Sequence, residues 1–249
     1  MEIAIRPLAD EALSRMDTAE ARLSFIKRYE LFDEALGILD VYDPRKKGLL
    51  GMFDGPDEVN RTAYEKLLAE KEAISEKALA VAEKDREIQA CRGQIAKNEV
   101  RRAQLEPWEK LDVPMSFTGT EKTAVFIGTL PEFHTAASVY AAASRDISTE
   151  GGLSAEVLFS GKDITGLSLI CLRKDAEKVY ENLRGIGFSR PAQVETEVPR
   201  ILMEKLSLDS KAQEERIRRL SEEIAAWGDL RQPFRVLSDY YRIRAEKYR

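Results

Sequence analysis

The chain has 249 residues, 33% of them charged and 43% hydrophobic, and carries a net charge of −5. That length allows one or two domains. An acidic chain of mixed signs speaks against nucleic acid as the main partner, because phosphate binding needs a basic face. No apolar run approaches the ~18 residues that cross a bilayer. The two cysteines, Cys91 and Cys171, form no CxxC pair, which points to a reducing, cytosolic compartment. The opening residues, MEIAIRP, do not read as a signal peptide. They are expected to be the remnant of a cut in a longer protein.

In chain order, residues 1–59 form an N-terminal helical segment. Its helix covers residues 11–42, with a break near Glu30 and an apolar face of Leu13, Met16, Leu23, Ile26, Tyr29, Leu36, Leu39 and Tyr42. Asp43-Pro44 ends it, since proline restricts the residue before it. The breaker-rich loop at 44–56 carries Leu49, Leu50, Met52 and Phe53, which are expected to tuck against neighbouring helices.

Residues 60–106 read as a first long arm. Leu67, Ile74, Val81, Ile88 and Ile95 recur at seven-residue spacing, and Tyr64, Ala78 and Cys91 widen the stripe. Nearly everything between is charged, Gln or Ala, the pattern of a solvated helix with one buried seam. At 1.5 Å per residue it spans roughly 70 Å. One seam needs a partner helix, and residues 199–249 supply it with Leu206, Ile217, Leu220, Ile224, Trp227, Phe234, Leu237 and Tyr241. Pro199 opens this second arm, and Gly228 with Pro233 bends it. The matched spacing predicts antiparallel pairing, with Ile88 against Ile217 and Leu220, and Val81 against Ile224 and Trp227.

Residues 107–198 form the distal lobe. Pro107 and Trp108 stop the first arm, and the stretch to Pro114 enters the lobe extended. Strands are expected at 123–129, 153–160, 165–172 and 192–198. Helices are expected at 131–145, opened by Pro131, and at 175–184, capped by Asp175 and ended by Gly185 and Gly187. That order is βαββαβ, the ferredoxin-like unit. Phe126, Val157, Leu169 and Val179 should share one core beneath the two helices, leaving the other sheet face solvated or docked. The fold class is α+β: a long antiparallel coiled-coil arm carrying a small ferredoxin-like lobe at its tip, with extra helices at the base.

No residue set carries catalysis, a cofactor or a metal. His134, the single histidine, lies in the first turn of a lobe helix without a Cys, Asp or Glu cluster, so it reads as a surface residue. Gly185-Ile186-Gly187 ends a helix, whereas a phosphate cradle opens one. Arg45, Lys46 and Lys47, and Arg216, Arg218 and Arg219, read as solvated charge runs. Trp108 packs where arm meets lobe, and Trp227 fills the seam.

The junction residues carry a resemblance. Residues 105–114 (LEPWEKLDVP), followed by 124–131 (AVFIGTLP), resemble the cytosolic part of subunit I of bacterial and archaeal V/A-type ATPases, the counterpart of eukaryotic subunit a. Residues 22–29 (RLSFIKRY), 46–50 (KKGLL) and 186–188 (IGF) are similar to further parts of that family. The resemblance runs from about Ala19 to the end. It lacks the family's initial βα unit and its C-terminal membrane domain, so the chain looks like an excised middle piece. No proton-path residue carries over. The resemblance implies a non-catalytic stator that links the membrane sector to the peripheral stalks during proton or sodium transport. It implies contact with the peripheral-stalk E and G subunits, a position near the cap of the central stalk (the C or d polypeptide), and contact with the membrane rotor ring through the absent membrane domain. Localisation follows as the cytoplasmic side of a membrane complex. Two other readings stand beside it. A βαββαβ lobe is also the shape of amino-acid-sensing regulatory domains, which keep a Gly-containing loop between first strand and first helix; Gly128, before Pro131, is the glycine that would answer to it. A chromosome-maintenance hinge with coiled-coil arms is the third, though such hinges are basic.

Overall fold

The computed structural model describes residues 18–44, 59–147, 152–192 and 194–248. Among them are seven α-helices and one three-stranded antiparallel sheet, an α+β chain. The helices are α1 (Thr18–Tyr42), α2 (Arg61–Ala69), α3 (Lys71–Leu105), α4 (Ala136–Ala143), α5 (Ala176–Gly185), α6 (Pro199–Ala225) and α7 (Arg231–Lys247). The strands are β1 (Thr123–Pro131), β2 (Leu153–Ser160) and β3 (Ile164–Leu172). The described residues divide into two compact units, one up to Cys91 and again from Glu215 on, the other from Arg92 to Glu214.

The first unit is all helix. Phe32, Ala35 and Leu39 of α1, Ile74, Ala78, Val81 and Ile88 of α3, Leu220 and Ile224 of α6, and Phe234, Leu237 and Tyr241 of α7 form its buried core. α1 runs unbroken through Glu30, unlike the sequence expectation. Its buried face is set by α7: Phe32 meets the ring of Phe234 at 5.6 Å and that of Tyr241 at 6.1 Å. Leu23, expected on that face, is 52% exposed instead. α3 and α6 run antiparallel here, since Lys84 pairs with Glu223 and Glu87 with Arg216. A one-residue interruption at Glu70 separates α2 from α3, although backbone bonds from Glu70 to Lys66 and from Ile74 to Glu70 continue through it. α6 and α7 are separated by a 3-10 turn, Gly228–Leu230. Pro233 falls in the first turn of α7, where its missing N–H costs no helical bond.

Two polar clusters tie this unit. The Arg28 guanidinium donates to both oxygens of Glu72 and to the Tyr241 hydroxyl, at 2.8 to 3.0 Å. Arg231 is buried and caps the end of α1, donating to the carbonyls of Leu39 and Asp43 and to the Asp43 carboxylate. Its Nε, 3.2 Å from an Asp40 carboxylate oxygen, lies outside hydrogen-bond geometry. The expected positions Leu13, Met16, Leu49, Leu50, Met52, Phe53, Arg45, Lys46 and Lys47 lie outside the described residues.

The second unit holds the sheet, in order β1-β3-β2 with both neighbours antiparallel. Alternation along β1 sends Ala124, Phe126 and Leu130 to one side and Val125 and Ile127 to the other, and all five are buried. Leu167, Leu169 and Cys171 of β3, with Val139 and Ala143 of α4 and Val179 and Leu183 of α5, complete the core on the Phe126 side. Val157 is half-buried and is not a member of that core. A β-bulge between Val157 and Phe159 shifts the pairing of β2 and turns Leu158 to the opposite core.

Three expectations need correction. β1 continues through Pro131, which pairs with Ile164, and α4 begins only at Ala136. A capping box between Thr135 and Ser138 opens that helix, in place of Pro131. Asp175 precedes α5 but makes no side-chain cap; a 3-10 turn over Arg173–Asp175 leads into the helix. The fourth strand does not form over residues 192 and 194–198. From this end of the lobe Ser189 alone bridges the outer edge of β1, exchanging bonds with Thr129 at 2.8 and 2.9 Å. Two residues on stands Pro191, which has no N–H for the next outward rung at Ile127. Gly128 lets that crossing segment approach, since a Cβ there would lie 2.3 Å from the Ser189 carbonyl oxygen and 2.5 Å from the Phe188 ring.

Candidate functional site: the helix-to-sheet junction

The run at 105–114 builds a joint. α3 ends at Leu105, and a 3-10 turn over Glu106–Trp108 follows with Pro107 at its start. The Leu111 N–H bonds the Trp108 carbonyl at 2.9 Å. This sets Leu105, Trp108 and Leu111 at the helix end facing Val125 and Ile127 of β1, with Leu158, Met115 and Leu202 closing the same core. Trp108 is 7% exposed and meets Phe159 edge-on, with centroids 5.2 Å apart and planes at 86°. Pro107 is exposed, and Pro114 is half-buried and starts a turn closed by the Phe117 N–H at 2.9 Å. The sheet face away from α4 and α5 is therefore largely covered by this joint. β1 is buried on both faces, which explains its continuous apolar run.

The stretch after Pro191 is held by the joint rather than by the sheet. Arg101 of α3 grips Glu195 in a bidentate pair at 2.8 and 3.0 Å, and the Ser116 N–H bonds the Glu195 carbonyl at 3.1 Å. Nothing in the local sequence distinguishes Glu195 from a solvated strand residue. Asn98 likewise escapes the reading of the sequence. It is 2% exposed, and its side-chain amide donates to Asp209 at 2.7 Å and to Ser210 at 3.2 Å. Cys91, seven residues earlier, occupies the same helical face, so the period is the signal that points to it.

The predicted seam divides by position. Ile74, Val81, Ile88, Leu220 and Ile224 are buried members of the helical core, and Leu67, Ile217 and Trp227 are half-buried against it. Ile95 is half-buried and joins none of the buried cores. Tyr64 is 37% exposed. Trp227 lies under the Lys84 ammonium, 5.5 Å from its ring centroid.

No cluster of three metal-ligating side chains exists among the described residues. His134 lies just before the Thr135 cap, outside the helix, and its backbone N–H bonds the buried Thr165 hydroxyl at 2.9 Å. Gly187 has φ +88, and a Cβ on it would come within 2.8 Å of Pro131, so this glycine closes α5 rather than cradling a phosphate. Gly128 lies inside β1 beneath Phe188, not in the loop that a ligand-sensing site would use. Burial pushes the Cys171 thiol up, the behaviour of an inert core cysteine. Arg218 pairs with Glu215 and Glu222 on its own helix, and Arg216 pairs with Glu87. No described helix is long and apolar enough to cross a membrane.

No family model matches the sequence, and no curated protein matches it. Among solved structures, a match at TM-score 0.48 and 12% identity covers 94% of this chain and 73% of the other. By that match the chain is similar to the cytoplasmic N-terminal domain of subunit I, homolog of subunit a, of V-ATPase, the family that residues 105–114 resemble.

Proposed function

We propose that the chain is a non-catalytic stator or scaffold part of a rotary V/A-type ATPase, lying on the cytoplasmic side and linking the membrane sector to the peripheral stalks during proton or sodium transport. In this reading α3 and α6 pair as the coiled-coil arm. The sheet with α4 and α5 is the ferredoxin-like lobe that takes the peripheral-stalk E and G subunits, near the cap of the central stalk. The observation that supports it most is the junction run. The residues that resemble the family, Leu105, Trp108 and Leu111, are the ones that lock the end of α3 to the underside of β1. A part that resists torque needs such a packed joint, because close-packed interiors transmit strain.

The test is titration of purified E–G heterodimer against the full chain and against a variant in which a short linker replaces residues 107–198. The expected result is micromolar or weaker binding by the full chain, as for a single modest interface, loss of binding in the variant, and no ATP hydrolysis by either. Equal binding by both would remove the lobe from the contact. Hydrolysis by the purified chain would remove the non-catalytic assignment.

A further inference from the structure

On the α5 side of the sheet a cleft opens beside the first residues of β1. Val125 and Phe126 of β1, Ala176 and Tyr180 of α5, and the two arginines that bracket that helix, Arg173 and Arg190, line it. Its aromatic floor is fixed. Tyr180 stacks on Phe126 at 5.7 Å with planes 16° apart, and stands edge-on to Phe188 at 6.4 Å. Arg190 lies over the Tyr180 ring, 5.9 Å from guanidinium carbon to centroid. Arg173 is anchored at its backbone to the Lys122 carbonyl and through one side-chain nitrogen to the Thr120 carbonyl, which leaves its other donors unspent. Glu177 also borders the cleft but lies within ion-pair distance of neither arginine. Elsewhere in this unit an arginine that is meant to be held receives its carboxylate from the chain itself, as Arg101 does from Glu195.

We propose that this cleft binds an acidic side chain, Asp or Glu, presented by a segment of a partner protein. Its carboxylate sits between the Arg173 and Arg190 guanidiniums, and its aliphatic stem lies along Tyr180. Charge complementarity selects the occupant: two guanidiniums line one opening, and guanidinium is the group that pairs best with a carboxylate. The cleft holds about 270 Å³, room enough for one carboxylate-bearing side chain. The assignment is independent of the stator reading, because it rests on the cleft alone.

The experiment uses the full chain, isotopically labelled, and follows the side-chain Nε–H signals of arginine by NMR. The probes are end-capped pentaglutamate, end-capped pentaglutamine and sodium sulfate. Pentaglutamate is expected to shift the Arg173 and Arg190 signals and the Tyr180 ring saturably, and the shifts should shrink with added salt. Arg173→Gln and Arg190→Gln should each weaken that binding about tenfold, the loss of one charge-assisted contact, with melting temperature unchanged. Tyr180→Ala should weaken it with both arginines present, and Tyr180→Phe should not. Shifts spread evenly over exposed arginines such as Arg184 and Arg200, or an equal response to pentaglutamine, would overturn the proposal. Sulfate binding at the same residues as tightly as pentaglutamate would also overturn it, because the site would then hold a bare anion.

Discussion

Replacing Trp108 by alanine should unlock the joint between α3 and β1. The side chain is 7% exposed, and it shares its core with residues from α3, β1, β2 and α6. Truncating a buried tryptophan leaves a cavity that neighbours on a helix end and a pinned sheet fill poorly, and such changes cost about 3–5 kcal/mol. The edge-on contact with Phe159 at 5.2 Å accounts for ~1 kcal/mol of that. In a chain of this size each kcal/mol lowers the melting temperature by about 2–4 °C, so a drop of roughly 6–20 °C is expected. Urea denaturation followed by circular dichroism gives the free energy, and an unchanged slope would show that the unfolded state is not the cause. Pro107→Ala is the control: that residue is exposed, and its replacement should stay within ~0.5 kcal/mol. A loss below ~1 kcal/mol for Trp108→Ala would refute the joint as a packed unit, and the mechanical argument with it.

Ile88, fully buried between α3 and α6, should lose several kcal/mol on change to Asp, as for any unpaired charge placed in a core; an unchanged melting temperature counts against the pairing. Thr165→Val keeps the shape but removes the hydroxyl that links the Glu132 carbonyl and the His134 N–H at 2.8 and 2.9 Å. A cost of about 2 kcal/mol and faster exchange of the His134 amide are expected, and unaltered exchange would contradict this. Asp43→Ala strips one carboxylate from the buried Arg231, and because Asp43 is 43% exposed the loss should be about 2 kcal/mol, below the 3–5 of a fully buried pair; urea melts of both proteins measure it. The hydrogen bond from Arg28 holds the Glu72 carboxyl below its ordinary range. Its contribution is present above the usual glutamate pKa and is lost as pH falls through the depressed value. Arg28→Gln should therefore flatten the acid limb of the stability profile, and an identical limb in both proteins would show that the pair adds nothing.

What the sequence made legible follows from periodicity. Ile74, Val81, Ile88, Leu220 and Ile224 repeat at helical spacing and lie in one core, because a solvated helix has a single stripe to bury. The α1 face was not legible in the same way. Leu23 and Phe25 are both apolar, and only the aromatic ladder of α7 decides that Phe25 packs on Tyr241 at 6.2 Å while Leu23 stays out. The sequence at 192–198 alternates like a strand, yet Pro191 and the pull of Arg101 on Glu195 take residues 194–198 away from the sheet; a pair 94 residues apart leaves no local trace. The junction was legible through its Pro107-Trp108 pair. The cleft at Tyr180 was not, because Arg173 and Arg190 come to line one opening only after α5 has folded between them.

The single rung at Ser189 also bears on how the molecule behaves in a crowd. An exposed sheet edge is a template on which a second copy can polymerise strand by strand. Here the outer edge of β1 is occupied at one end by the bridge from Gly119 to Ala124 and at the other by Ser189. The proline two residues beyond Ser189 removes the donor that a growing ladder would use. The chain thus gives up a fourth strand, and what stays open along β1 between these two bridges is only a few residues long.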